Sequence, residues 1–123
     1  MKKLVFLAIA VSIFVVSQSV SASNLRWLEN SPSSKFTDKD WEIAKASANR
    51  ALNHLANDEI MVWENPESKN HGRLTPLLTF DNNGKKCRTL KIENFSANGL
   101  SGRANYDFCK NDEGLWKVLS KSK

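Results

Sequence analysis

An α+β fold is predicted for this 123-residue chain: one amphipathic helix packed on a four- to five-stranded antiparallel meander, with one disulfide. Three observations lead there. Apolar residues recur at helical spacing over a single stretch, from Trp41 to Leu55. Every later apolar run is short and closed by a turn signal. The two cysteines, Cys87 and Cys109, both lie in that later, β-rich part.

The elements follow in order. Residues 23–35 form an N-terminal segment and loop: Leu25, Trp27 and Leu28 are too few for periodicity to choose a helical turn over a strand, and Asn30–Ser34 reads as loop. Thr37 and Asp40 then have capping-box spacing, with Phe36 placed as the hydrophobic staple. Trp41, Ala44, Ala48, Leu52 and Leu55 define the apolar face of a helix running to about Asn57. Lys39, Glu42, Lys45, Asn49 and Arg50 lie largely away from it. Strands are expected at Ile60–Trp63, Gly72–Phe80, Lys86–Glu93, Ser101–Lys110 and Leu115–Leu119, with turns at Asp81–Gly84, Ser96–Gly99 and Asn111–Gly114. Pro76 cannot donate to a ladder, so it belongs at an edge or a bulge. Cys87 alternates with Arg88, Leu90 and Ile92; if it points inward to pair, a bulge is expected near Arg88.

The chain opens with Lys2-Lys3, an apolar run from Leu4 to Val16, and a polar tail ending Val20-Ser21-Ala22. This is the pattern of a signal peptide cleaved after Ala22, residues 1–22. At 1.5 Å per residue the apolar run reaches about 20 Å, short of a ~30 Å hydrocarbon core. Once it is removed, no transmembrane segment is expected in the remainder. Ser23, not cysteine, follows the cut, so the product is not a lipoprotein. The leader carries two lysines and no acid, so the formal net charge falls from +5 to +3. That is too mild for a nucleic-acid footprint. An exported domain with two cysteines predicts a Cys87–Cys109 bridge. Closing a loop of about 23 residues stabilises by roughly 3 kcal/mol in the chain-entropy model. The alternative, a metal site joining both thiols to His54 and His71, has no recognised zinc spacing. No metal and no cofactor is expected.

Catalysis requires a nucleophile with a base, paired carboxylates, or metal ligands. Only His54 and His71 are available as imidazole bases. His54 falls in the last helical turn, where it suits the helix dipole. His71 lies in a loop near Glu67, the one arrangement from which a hydrolase could be built. No Gly-x-Ser-x-Gly, phosphate loop or calcium loop occurs, and the chain is not expected to be an enzyme. Aromatic and basic residues offer a candidate binding surface instead: Trp63 and Trp116 at strand ends, and Arg73, Arg88, Arg103 and Lys110 as a basic stripe across adjacent strands. A small exported inhibitor of a hydrolase such as lysozyme is the second reading. Its positive charge would oppose that of a typically basic lysozyme.

A set of ordered residues adds to this: Ala51-Leu52, Trp63-Glu64-Asn65, Ser68-Lys69, Gly72, Pro76, Cys87-Arg88, Cys109-Lys110 and Gly114-Leu115-Trp116. In this order they resemble the C-terminal domain of the 17-kilodalton outer-membrane surface antigens of proteobacteria, over about residues 41–119. Lys69 stands where that pattern has glycine and Lys110 where it has arginine. Longer members carry a lipid-attachment cysteine and a glycine-zipper segment ahead of the domain, and this chain matches neither. The resemblance implies a surface-antigen-like domain at 36–123, in the periplasm or cell envelope, surface-exposed or secreted. It would bind or support an envelope component that the sequence leaves unknown, as is its oligomeric state.

Overall fold

The structure, a computed structural model, describes residues 32–121. The signal peptide, its cleavage site and Leu25, Trp27 and Leu28 therefore lie outside the described residues. A short 3-10 turn, Pro32–Lys35, replaces the expected Ser/Pro loop and leads into helix α1, Asp38–His54. Five strands follow: β1 (Met61–Glu64), β2 (His71–Asn82), β3 (Lys85–Phe95), β4 (Ser101–Lys110) and β5 (Trp116–Lys121). They form one antiparallel sheet in sequence order, β1-β2-β3-β4-β5. A helix on a meander is thus the observed α+β architecture.

Helix α1 starts where its capping box dictates. Thr37 Oγ1 accepts from the Asp40 amide at 3.1 Å, and the Thr37 amide donates to Asp40 Oδ2 at 2.7 Å. Two of the first turn's orphan donors are satisfied this way. Phe36 staples the entry, meeting Trp41 edge-on at 5.4 Å and Trp63 at 5.3 Å between ring centroids. The helix ends at His54, three residues earlier than expected. Leu55 is already extended, at φ −82° and ψ 142°. The cause is tertiary: Arg88 takes the carbonyls of Ala51 and Leu52, and Asn57 turns its side chain to Arg88 and Thr79.

In the sheet, Asn83 (φ 52°) and Gly84 (φ 79°) both adopt left-handed backbone and join β2 to β3 by the tight turn that suits strand twist. Pro76 lies on an interior strand, so the bulge and not the edge accommodates it. The register slips between Pro76 and Leu78, leaving Leu77 as the extra residue. No bulge occurs near Arg88. The β3–β4 register runs unbroken from Cys87↔Cys109 to Phe95↔Ser101. The two cysteines are direct cross-strand partners, bonded with an S–S distance of 2.04 Å. They need no irregularity because they lie on the sheet face opposite the helix, while Arg88 and Leu90 take the helix side.

The core sits between α1 and the first three strands: Ala51, Leu52, Trp63, Leu74 and Leu90 are all at most 4% exposed. Gly72, opposite Trp63 in the ladder, belongs to this packing. A Cβ there would stand 2.4 Å from Trp63 Nε1 and 2.9 Å from the Glu93 carbonyl oxygen. Only a residue without a side chain lets the indole lie against the strand. Gly72→Ala is expected to cost about 1–3 kcal/mol through overpacking, measured by urea denaturation. Cys87→Ser is expected to lower the unfolding free energy by about 2–5 kcal/mol, the usual cost of a lost native bridge. Thermal melting of the variant beside its parent checks this.

Candidate functional site

Two polar nodes hold the helix to the sheet. Asp40, fully buried, accepts three further hydrogen bonds besides the one that closes the helix's box. Asn65 Nδ2 (2.7 Å) and Ser68 Oγ (2.6 Å) donate to Oδ1; Asn70 Nδ2 (2.7 Å) joins the Thr37 amide on Oδ2. Burial alone would raise its pKa, but the bonds from Ser68, Asn70, Thr37 and Asn65 outweigh that and hold it well below the ordinary carboxylate range. The three side-chain donors come from one tight loop between β1 and β2. Asn65 Oδ1 accepts from the Glu67 amide, and the Asn65 carbonyl accepts from the Lys69 amide at 2.8 Å. Lys69 completes the loop at φ 67°, and this is the position where the family pattern has glycine.

The second node is Arg88, 5% exposed. Its guanidinium donates to the Leu52 carbonyl (2.9 Å), the Ala51 carbonyl (3.3 Å), Asn57 Oδ1 (2.9 Å) and Thr79 Oγ1 (3.0 Å). Burial lowers its pKa, yet an arginine keeps its charge, and a cation at a helix C-terminus is favourable. Beside it, Trp116 Nε1 donates to Asn53 Oδ1 at 2.9 Å, and Lys110 Nζ lies 5.6 Å from the Trp116 ring centroid. Lys110, which stands where the family pattern has arginine, thus keeps a cation–π contact with this ring.

These positions correct the sequence-derived binding surface. Trp63 (4% exposed) and Arg88 are interior residues. The basic stripe divides between two faces: Arg88, Lys110 and Trp116 belong to the helix side, Arg73 and Arg103 to the opposite one. There Arg73 Nη2 pairs with Glu93 at 2.9 Å, its guanidinium 5.3 Å from the Phe95 ring centroid, and Arg103 stands opposite Glu93 in the ladder. His71 shares that face. Its ring stacks on Phe95 at 5.0 Å, and Nδ1 lies 3.3 Å from the Lys69 carbonyl oxygen. The Ser68 hydroxyl, its nearest serine in sequence, is committed to Asp40. His54 is exposed in the last turn of α1. Among the described residues, no cluster of three or more His, Cys, Asp or Glu is placed to hold a metal ion.

A different site emerges from the packing. Helix α1 lies over β1 and β2, so the helix-side face of β4 and β5 continues beyond it. Between them opens a cleft of about 450 Å³. Trp41, Ala44 and Ala48 form one wall, Ala104, Tyr106 and Phe108 the other, and Val118 of β5 extends it. Of its two charged lining residues, both exposed, Lys45 belongs to α1, whereas Arg103 directs its charge to the opposite face of the sheet. No histidine, cysteine, aspartate or glutamate is among the described residues lining it. In the sequence the alternation of Ala104, Tyr106 and Phe108 marks an apolar strand face, but not that one helix is too narrow to cover it.

These features define a class: a disulfide-bridged helix-on-meander domain, locked by two buried polar nodes and open along one apolar cleft. Over 84 residues its sequence is homologous to the 17 kDa surface antigens, in keeping with the motif order. The chain is 30% identical to the 17 kDa surface antigen of Rickettsia felis (strain ATCC VR-1525 / URRWXCal2), over 68% of this chain and 52% of that protein. It is 27% identical to that of Rickettsia bellii (strain RML369-C) and 26% to that of Rickettsia prowazekii (strain Madrid E), with the same coverage. The chain thus spans about half the length of the curated relatives it matches. No family model and no solved structure matches it.

The Asp40 node makes stability pH-dependent. Its pKa is depressed on folding, so its contribution is complete above the unfolded value of about 3.9 and drains away as pH falls toward the folded one. Asp40→Asn is expected to lose about 2–4 kcal/mol at neutral pH, the scale for breaking a buried charge-assisted network. Its stability should also be flatter than the parent's below about pH 4, as denaturant midpoints across pH would record. Lys69→Gly should instead raise the unfolding free energy, by up to about 1 kcal/mol, by relieving left-handed backbone.

Proposed function

We propose that this chain is an exported envelope or surface module that acts by contact rather than by catalysis, with the cleft between α1 and β4–β5 as its contact site. One observation carries the reading. The apolar cleft is lined by aromatic and aliphatic side chains with Lys45 beside them, and no acid–base pair is among its described lining. The buried polar residues that could have served chemistry, Asp40 and Arg88, are consumed in holding the helix. Similarity to proteins named surface antigens supports an envelope or surface location, as do the leader-like N-terminus and the single bridge. Among the described residues no helix is long and apolar enough to cross a membrane.

Fractionation of expressing cells tests the location: the protein is expected in periplasm, envelope or medium with its leader removed and its thiols oxidised. Ala104→Arg, which places a charge in the cleft wall, tests the site. Envelope association should fall several-fold while the melting temperature stays near that of the parent. Unaltered association in a folded Ala104→Arg protein would remove the cleft from this role.

A further inference from the structure

We infer that the cleft takes a single alkyl chain with an anionic head, the chemistry of a long-chain fatty acid, with the tail between α1 and β4 and the carboxylate at Lys45. This rests on the reading of the cleft as a contact site and names what it contacts. Three observations carry it. First, the shape is that of a small-molecule site. A volume of about 450 Å³ falls in the range of ligand pockets, and the β4 wall from Gly102 to Phe108 makes the cleft elongated, at about 20 Å. Ala44 and Ala48, on the helix wall, are too small to fill it. Second, the cleft has little to offer a polar chain. Apart from the indoles, Ser33, Asn94 and Tyr106 are the only uncharged polar side chains among its described lining. Strand β4 is bonded to β3 on one side and β5 on the other, so its backbone is already engaged. A peptide laid there would leave most of its own N–H and C=O groups without partners, which burial penalises. A hydrocarbon chain has none to satisfy, and each methylene it buries is favourable. Third, one charge is available. Arg103 serves the other face beside Glu93, whereas Lys45 stands on the helix wall and enters none of the ion pairs among the described residues. Glu42, on the turn before it, pairs with Lys39. With no carboxylate in the described lining, the field at Lys45 favours an anion and disfavours a cation.

Tail and head have separate roles. Burial of the tail against Trp41, Tyr106 and Phe108 supplies most of the affinity. Lys45 is exposed, so the carboxylate stays at the water boundary and keeps part of its hydration. An ion pair so exposed is weak; it sets the ligand's orientation and a several-fold preference for an anionic head.

The purified protein is titrated with cis-parinarate, a fatty acid that fluoresces when its chain leaves water. Saturable binding of a single probe per chain is expected. Palmitate should displace it, and an alkyltrimethylammonium of the same chain length should do so several-fold less well. Lys45→Glu should weaken the probe several-fold, and Lys45→Arg should bind it as the parent does; the position faces water, so both variants fold. Val118→Asp, at an exposed position on the cleft, should weaken binding several-fold by placing a charge beside the tail. No saturable binding, equal displacement by the two amphiphiles, or an affinity unmoved by Lys45→Glu and Val118→Asp each overturns the inference. The contact reading is judged apart from it, by Ala104→Arg. If envelope association falls in that variant while the parent binds no cis-parinarate, only the fatty-acid assignment is lost. If association is also unaltered, both are lost.

Discussion

The carboxylate of Asp40 is the constraint on which the rest of this structure depends. It sits on the first turn of the only helix among the described residues, closes that helix's capping box, and receives Asn65, Ser68 and Asn70 from the loop that joins β1 to β2. Through Asn70 the connection extends further. The same amide donates to the Lys35 carbonyl and accepts from the Ala97 amide in the β3–β4 turn. One charge therefore fixes the helix N-terminus, the entry turn and two sheet connections at a single point. A charge buried at such a point is tolerated only because every lone pair is engaged, and removing one donor leaves the others facing an undersatisfied anion. The opposite end of the helix is held by the reciprocal device, the Arg88 cation on the terminal carbonyls. Anion at the N-terminus and cation at the C-terminus both agree with the helix dipole.

The residues that carry the resemblance to the surface antigens acquire a physical meaning from these nodes. Asn65 and Ser68 serve Asp40; Arg88 serves the helix C-terminus; Gly72 makes room for Trp63; Cys87 and Cys109 bridge adjacent strands. The ordered motif is a specification of packing. The cleft is built largely from other positions: of the motif residues, Trp63 alone is among its described lining. Relatives can therefore keep the fold while the cleft's side chains differ, and similarity along the motif identifies the architecture rather than the partner.

What could be read in the sequence was what is local. The capping box of Thr37 and Asp40, the Phe36 staple, the Asn83-Gly84 turn and the alternation of β4 each depend on residues within a few positions of one another. The Cys87–Cys109 bridge was legible because two cysteines in a chain with a leader-like N-terminus leave one pairing. Two things were not. Asp40 read as half of a capping box because its other partners lie 25 to 30 positions away, and no periodicity reports on such distances. Arg88 read as part of a solvent-facing stripe because a cation buried on helix carbonyls has the same appearance in sequence as one facing water. Inward placement of Cys87 was assumed for a core disulfide, whereas here the bridge spans the sheet's far face.

The bulges bear on how the molecule behaves beside its own copies. β5 is the sheet's outermost strand, and it carries Leu119 as an unmatched residue where the register slips between Asp107 and Phe108. Such an irregular border cannot present a straight row of amides and carbonyls, so it is a poor template for a further strand. The other border, β1, is only four residues long. The sheet thereby stays finite, and polymerisation along the hydrogen-bonding direction is discouraged at both margins.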